Sequence, residues 1–387
     1  MTMPPARRTV VLGVSGRVRY PAISVTNEFA STIARAEGTE VVNVDARGVG
    51  TEPRERIVRN VVRFAGRGAL ANRLRHLELP AGRADLLVVP TMPFRDLWIL
   101  AGLDLSSIAE RSICFIDEIW APDVHHFDVF RDVLTQFDAV YLSVQSPVRA
   151  LANEIGTDRV RWMPPATDAL ERCPASDQQR GITVLSVGRR SEVQHAELLA
   201  AARQRRLTYL FDTLRSSALI DSAEHRTNAA QLIRNSRFYI AHRAKFDAPE
   251  ETGEAADFGG RFFDAQAAGS IPIGDPPRTP EFRALFSRPG SMVIAPAGEA
   301  GIVDQVLDLL AEPDQLEAAS RANVVDALRS NDWIHRWSEL LASVGMQLQG
   351  RGEQRRRGLA ELADLVEQRR PHDTAHTEVT DAWEGTA

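Results

Sequence analysis

The residues best suited to chemistry lie in the segment Asp257–Ile273. Gly259 and Gly260 allow a ligand to approach the backbone closely, and the spacing predicts that a helix begins at Arg261. Free N–H groups at a helix start and an arginine together suit a phosphate, so we expect a pyrophosphate here. The Asp264 carboxylate, one turn inside, can accept hydrogen bonds from sugar hydroxyls. The alternative is a tight packing joint with solvated charges.

A second group of candidates follows the predicted strand Ser112–Ile116. Asp117, Glu118 and His125 carry groups that can take a proton from a substrate hydroxyl when their pKa lies near the working pH. We predict Asp117 as the base, with His125 as the second choice. Helix capping and surface charge would explain the cluster equally well. His125 and His126 face different sides of a helix, so we expect no metal site.

Apolar runs alternate with amphipathic stretches along the chain, which predicts an α/β fold of doubly wound parallel sheets. The predicted strands of the first half are Thr9–Val14, Glu40–Val44, Ala84–Pro90, Ser112–Ile116, Asp138–Ser143 and Arg159–Met163, and Ile23–Ala36 is a predicted helix. In the second half the predicted strands are Gly181–Val187, Leu207–Phe211, Arg237–Ala241, Ser270–Ile273 and Ser291–Ala295. We expect two tandem Rossmann-like domains, residues 1–168 and 175–345, and a charged, largely disordered tail over 346–387, in which Leu359–Gln368 is one more possible helix.

Composition excludes several classes of protein. The chain has 387 residues, enough for two domains, and a net charge of −6, which disfavours a nucleic-acid binder. Two cysteines are too few for a disulfide scaffold or a thiolate zinc site. No apolar run is long enough to span a membrane, so we expect a soluble, cytoplasmic protein. The arginine-rich segment 54–75 is interpreted as a solvated helix face, or alternatively as a weak contact to an anionic ligand or membrane surface.

The segment after Asp257 resembles the donor-site signature of GT-B glycosyltransferases, an F-G step followed by E-A-x-A-x-G-x-P-[VI]. Phe258 and Gly259 match the first step, and Gly269–Ile273 matches the end. The intervening G-R-F-F-D is more similar to spore-maturation and exostosin-like relatives. Asp264 replaces the usual glutamate, and Ala256 stands where the first glutamate of the retaining E-x7-E pattern falls. Whether the anomeric configuration is retained or inverted is therefore left open.

The resemblance extends over about residues 9 to 345. Val184–Arg190 is similar to the V-G-R segment that opens the donor domain, and Asn331–Val344 resembles the helix that crosses back to the first domain. The resemblance implies a loop after the first strand that faces the acceptor, formed by Ser15, Gly16 and Arg17. It also implies a set of donor-binding residues: Gly188, Arg189, Arg190, Gly259, Gly260, Arg261 and Asp264.

The activity implied is that of a hexosyltransferase-type glycosyltransferase. It would move a sugar from a nucleotide diphosphate sugar to a small-molecule, glycan or lipid-linked acceptor, with no metal and no cofactor besides the donor. A nucleotide-sugar 2-epimerase of the same fold, or a catalytically silent nucleotide- or glycan-binding partner protein, are the alternatives. An NAD-dependent oxidoreductase is less favoured: Asp45 stands where a ribose-binding acid would lie, but the glycine fingerprint is missing after Gly13.

Overall fold

The computed structural model describes residues 7–13, 23–43, 45–46, 60–61, 75–76, 78–79, 81–92, 94–156, 158–175, 179–213, 221–253 and 255–368. Within these ranges the chain folds into two α/β domains, each built on a parallel sheet, as the sequence predicted. None of the helices in the described part is long and apolar enough to cross a membrane.

The first domain contains eight strands among its described residues: β1 (Thr9–Gly13), β2 (Val41–Asn43), β3 (Asp45–Ala46), β4 (Arg75–His76), β5 (Ala84–Thr91), β6 (Ala109–Ile116), β7 (Ala139–Leu142) and β8 (Val160–Trp162). Six of them form one parallel sheet in the order β2-β1-β5-β6-β7-β8, and β3 pairs antiparallel with β4. The strands are apolar on both sides because both faces are covered. Val10 and Leu12 enter one core, whereas Val11 enters the other.

The α-helices whose bounds fall within the described residues of this half are α1 (Ser24–Glu37), α2 (Arg131–Leu134), α3 (Val148–Ile155) and α4 (Ala169–Arg172). In the same described part, 3₁₀ helices lie between strands at Phe94–Leu100, Leu105–Ser107 and Ala121–Phe130. Helix α4 lies in the passage between the domains and begins at Asp168, whose side chain accepts a hydrogen bond from the Glu171 N–H. This cap fixes the point where the chain leaves the first domain.

The strands of the second domain are β9 (Ile182–Ser186), β10 (Tyr209–Phe211), β11 (Ser236–Ile240), β12 (Ile271–Gly274) and β13 (Val293–Ile294), in the sheet order β10-β9-β11-β12-β13. The helices that follow α4 are α5 (Glu192–Arg203), α6 (Ser222–Arg234), α7 (Pro249–Thr252), α8 (Arg261–Ala267), α9 (Pro280–Leu285), α10 (Ile302–Leu310), α11 (Pro313–Ser330), α12 (Trp333–Ser343) and α13 (Gly350–Gln368). The strand order reverses direction between β1 and β5 in the first sheet and between β9 and β11 in the second. Ligands of open α/β sheets bind at such a switch point.

The last helices return to the first domain. Trp333 and Trp337 of α12 are fully buried, and the rings of Trp333 and Phe29 of α1 lie 5.2 Å apart. In α13, Leu359 and Ala363 are buried in the same core. The observed course of α12 matches the crossing helix that the resemblance implied.

Three predictions about elements are wrong. Asp45 does not end the second strand of the main sheet but begins the antiparallel β3, which pairs with His76. Arg75, the last residue of the segment expected to be helical, forms the other strand of that pair together with His76. The predicted tail is not largely disordered over Gly350–Gln368: the possible helix at Leu359–Gln368 is part of a 19-residue helix, in which Leu359, Ala363 and Val366 form a buried face. Residues 369–387 lie outside the described residues.

Candidate active site

Two of the predicted donor loops meet at the switch point of the second sheet. Gly188, which follows β9, has φ of +80°, and a Cβ there would lie 2.5 Å from Nη2 of Arg261. A glycine is therefore needed for the guanidinium to lie against this turn. Nη1 of Arg261 donates a hydrogen bond to the Arg189 carbonyl oxygen at 3.4 Å. The structure thus brings Gly188, Arg189 and Arg261 together.

Two buried phenylalanines in the first turn of α8 anchor the start of this helix. Phe262 and Phe263 are fully buried, and the ring centroids of Phe262 and Phe282 are 4.9 Å apart. Gly260, at the N-cap, has no side chain that could occupy the first N–H groups of the helix. A Cβ on Gly259 would meet no described atom within 4 Å. The apolar anchor therefore leaves the glycine side of this turn accessible to a ligand.

Arg189 and Arg190 are held by surface carboxylates. Arg189 Nη1 lies 2.7 Å from Asp247 Oδ1. Arg190 Nη1 lies 3.4 Å from Asp212 Oδ1, and its guanidinium is 5.2 Å from the centre of the Phe211 ring. Ion pairs that are partly solvent-exposed contribute little to stability, so either arginine can exchange its carboxylate for a phosphate at low cost.

Asp264 is tied to the passage between the domains. Its Oδ1 accepts a hydrogen bond from Thr167 Oγ1 at 2.7 Å and lies 2.7 Å from Nε of Arg172. Arg172 in turn contacts Glu28 Oε2 of α1 at 2.7 Å, and burial raises the pKa of Glu28. About a quarter of the Asp264 side chain is exposed. Oδ1 of Asp264 is thus occupied by contacts with residues of the passage, so the expected contact with sugar hydroxyls must use Oδ2.

Asp117 is a buried acid at the carboxyl end of β6. Burial raises its pKa to about 7, against the opposing effect of a hydrogen bond with Ser143. Its main-chain N–H donates to the Thr91 carbonyl at 3.0 Å, which anchors it to the end of β5. A carboxyl group that titrates near neutral pH is suited to proton transfer. The assignment of Asp117 as the base stays a prediction.

The other two candidates for proton transfer differ from Asp117. Glu118 Oε1 lies 2.9 Å from Nζ of Lys245 in the second domain, so this carboxylate is engaged in an ion pair across the domains. Lys245 also contacts Glu251 at 3.0 Å and lies 5.4 Å from the centre of the Trp120 ring. The side chain of His125 lies outside the described residues.

A second polar contact joins the donor motif to the first domain. The N–H of Gln145, which follows β7, donates to Oδ2 of Asp257 at 2.6 Å. Asp257 is 4% exposed, and burial raises its pKa to about 6. The donor motif is therefore positioned by both domains, through Asp257 at its start and through Asp264 inside its helix.

His242 was not predicted from the sequence. It follows β11, is 5% exposed, and its Nδ1 accepts a hydrogen bond from the Asp275 N–H at 3.0 Å. The proton of the neutral ring therefore lies on Nε2, which is buried without a partner among the described residues. Burial, together with the charges of Arg261 and Arg243, lowers the pKa of His242 to about 4. This ring remains neutral at physiological pH.

Other residues that contact the candidate site residues escaped the sequence analysis because they join distant segments of the chain. Glu28, Arg172 and Lys245 give no local motif; the only signal was that Lys245 is the sole lysine of the chain. The predicted acceptor loop of Ser15, Gly16 and Arg17 lies outside the described residues, as does most of the arginine-rich segment 54–75. Among the residues that the structure describes, no group of three or more potential ligands could hold a metal ion.

Comparison with known proteins identifies related folds. Residues 196–342 match the family model described as "Glycosyl transferase-like". No curated protein sequence matches the chain. An alpha-glucosyltransferase solved with UDP and a 13-mer DNA containing a HMU base has a TM-score of 0.52 and 9% identity, covering 88% of this chain and 100% of that chain.

Two further solved structures are more distant. The glycotransferase of kitacinnamycin has a TM-score of 0.39 and 11% identity, with 94% of this chain and 99% of that chain covered. TarM has a TM-score of 0.41 and 8% identity, with 67% of this chain covered, and this chain spans 54% of TarM. The chain has the GT-B fold, and residues 196–342 are similar to the glycosyl transferase-like family, which confirms the resemblance seen in the sequence.

Proposed function

We propose that the chain is a glycosyltransferase that moves a sugar from a nucleotide diphosphate sugar to an acceptor hydroxyl. The family match over the second domain supports sugar transfer, and the alpha-glucosyltransferase of similar fold was solved with UDP. In this proposal the second domain holds the donor and the first domain faces the acceptor. The acceptor is a small molecule, a glycan or a lipid-linked glycan, and the net charge of −6 disfavours a nucleic acid.

The observation that carries the proposal is the contact of Arg261 with the Gly188 turn. It joins two segments that resemble the donor-binding motifs, at the switch point where a nucleotide binds in this type of sheet. A departing diphosphate develops negative charge, and a guanidinium with nearby backbone N–H groups stabilises it without reorganisation. Arg189 supplies a second guanidinium at the same turn. We therefore propose that no metal ion is required.

The acceptor hydroxyl must lose its proton during transfer. We propose that the Asp117 carboxylate accepts this proton, because its raised pKa suits a general base at neutral pH. The ion pair of Glu118 with Lys245 and the bond from Gln145 to Asp257 hold the two domains together beside this acid. Closure of this kind excludes water, which favours transfer over hydrolysis.

Binding of UDP, GDP and TDP to the full chain, measured by thermal shift with and without EDTA, tests this proposal. We expect one nucleotide to raise the melting temperature more than the others, with no change on addition of EDTA. Incubation with the matching nucleotide sugar should then label an acceptor from a panel of glycans and lipid-linked glycans.

The outcomes separate the alternatives. Formation of a free epimeric sugar without an acceptor would identify a nucleotide-sugar 2-epimerase. Nucleotide binding without hydrolysis or transfer would identify a silent binding partner. Stabilisation by none of the three nucleotides would contradict the proposed function.

A further inference from the structure

A cavity of about 260 Å³ lies between the two domains, away from the Gly188 turn. Its described lining residues come from the ends of β1, β2 and β5, from the first turns of α1, and from α6 of the second domain: Gly13, Thr26, Asn27, Ala30, Val41, Asn43, Pro90, Ser222 and Arg226. The cavity therefore has room for several water molecules, or for an oxyanion with part of its parent molecule.

The position of the cavity is that of a ligand site. Gly13 ends β1, and Pro90 lies at the end of β5. The first sheet reverses its winding between these two strands, so the cavity occupies its switch point. No residue of the predicted base cluster and none of the predicted donor residues appears among the described lining residues. The cavity therefore shares no described lining residue with the Gly188 turn or with the Asp117 cluster.

The charge of the cavity is positive. Of the nine described lining residues, only Arg226 carries a charge. Its Nη1 is buried and has no hydrogen-bond partner among the described residues. Leaving a buried cationic donor unpaired costs free energy, whereas an anion that binds there would satisfy it. Because a guanidinium is a cation with several N–H donors and no acceptor, the complementary ligand group is an oxyanion such as a phosphate or a carboxylate.

Helices α1 and α6 both form parts of the cavity wall. Asn27 Nδ2 donates to Ser222 Oγ at 3.1 Å, which joins α1 to α6 across the cavity wall. Ile23, at the N-cap of α1, has an apolar side chain that cannot occupy the first N–H groups of that helix. Next to it, Val25 Cγ2 lies 3.8 Å from the position of a Cβ on Gly260. The cavity thus adjoins the donor motif across one turn of α1.

We infer that this cavity binds a phosphate or carboxylate group of the acceptor, and that Arg226 of the second domain recognises it. The inference deepens the proposed function, on which it rests, by naming an anionic acceptor. Arg226 belongs to the domain that holds the donor, so an acceptor bound here contacts both domains. Its hydroxyl would be presented next to the start of α8.

Calorimetric titration of the full chain with inorganic phosphate at constant ionic strength tests the inference. The nucleoside diphosphate that binds best is added at saturation, so that phosphate cannot occupy the donor site. We expect saturable binding to the wild type, at least tenfold weaker binding to Arg226→Gln, and binding within threefold of the wild type for Arg226→Lys. Acetate in place of phosphate shows whether a carboxylate suffices; binding of either anion that depends on Arg226 supports the inference.

Arg203→Gln is the matched control, because Arg203 is an exposed arginine on α5 of the same domain. It should bind phosphate as the wild type does. Equal affinity of the wild type and Arg226→Gln, equal losses in Arg226→Gln and Arg203→Gln, or no binding of either anion to the wild type would each overturn the inference. If no nucleotide binds, the proposed function fails; the same titration without nucleotide still compares Arg226→Gln with Arg203→Gln and tests the cavity separately.

Discussion

Asp117 is the residue at which burial and hydrogen bonding oppose each other. The hydrogen bond with Ser143 favours the ionised carboxylate, but burial outweighs it and raises the pKa to about 7. Near neutral pH the protonated and ionised forms are therefore both well populated. Such a group can take a proton from a hydroxyl and release it again within the physiological range.

We predict that kcat/KM rises with pH through about 7 and levels off above it, because only the ionised form of Asp117 acts as a base. Asp117→Asn should reduce turnover by about 10²–10⁴-fold, the range of general-base catalysis. Its nucleotide affinity should stay within about twofold of the wild-type value. Steady-state kinetics across pH 5–9 and a nucleotide titration measure both.

Asp132→Asn is the control for this change, since Asp132 is an exposed acid on α2. It should retain the wild-type pH profile. Wild-type turnover in Asp117→Asn, or an unchanged rising limb near pH 7, would remove Asp117 from the role of base.

In the turn after β11, unfavourable backbone geometry is opposed by a favourable ion pair. Lys245 has φ of +50°, and its partner Glu118 has φ of +51°, in the left-handed region that non-glycine residues rarely adopt. They are two of three such non-glycine residues in the described part of the chain. Each residue of this kind costs about 1–2 kcal/mol, and the ion pair across the domains is one of the interactions that hold both residues in place.

We therefore expect Lys245→Gly to be more stable than Lys245→Ala by about 1 kcal/mol, because both lose the ion pair but only glycine relieves the backbone. Denaturant unfolding measures the difference. The order should reverse at Arg243, which lacks a positive φ, so Arg243→Ala should be at least as stable as Arg243→Gly. Greater stability of the alanine variant at both positions would show that the turn is not strained.

The elements themselves were largely predictable from local patterns. Continuous apolar runs identified β5 and β6. The β3–β4 pair was missed because antiparallel pairing between distant segments has no local signature. The same reason hid the contact between Glu118 and Lys245. The sequence predicted both glycine turns and Arg261 as parts of the donor site, but not the contact between the Arg261 guanidinium and the Gly188 turn.

At the scale of the whole molecule, the C-terminal helices bind the passage between domains to the first domain. Arg355 of α13 lies 2.7 Å from Asp168 and 2.6 Å from Asp332, both buried. Burial would raise the pKa of Asp168, but Arg355 and Arg35 outweigh it and lower that pKa to about 2. The sequence analysis assigned the arginine-rich segment around Arg355 to a largely disordered tail. It did so because Asp168, one carboxylate that pairs with Arg355, lies far away along the chain.

Removing Arg355 should leave two buried carboxylates without their shared cation. We predict that Arg355→Ala lowers the free energy of unfolding by about 3–5 kcal/mol. Arg357→Ala, on the exposed side of the same helix, should lower it by less than about 0.5 kcal/mol. Denaturant titrations of both variants measure these values; equal effects would mean that α13 does not stabilise the passage.

The contact of Arg261 with the Gly188 turn is tested most directly by comparing a nucleoside diphosphate with the monophosphate of the same nucleoside. A charge-assisted hydrogen bond to the terminal phosphate contributes about 1.5–3 kcal/mol, so the wild type should bind the diphosphate at least about tenfold more tightly. In Arg261→Ala this preference should fall to within about threefold, whereas Arg283→Ala, which changes an exposed arginine on α9, should keep it. An equal preference for the diphosphate in the wild type and Arg261→Ala would contradict the assignment of this arginine to the departing diphosphate.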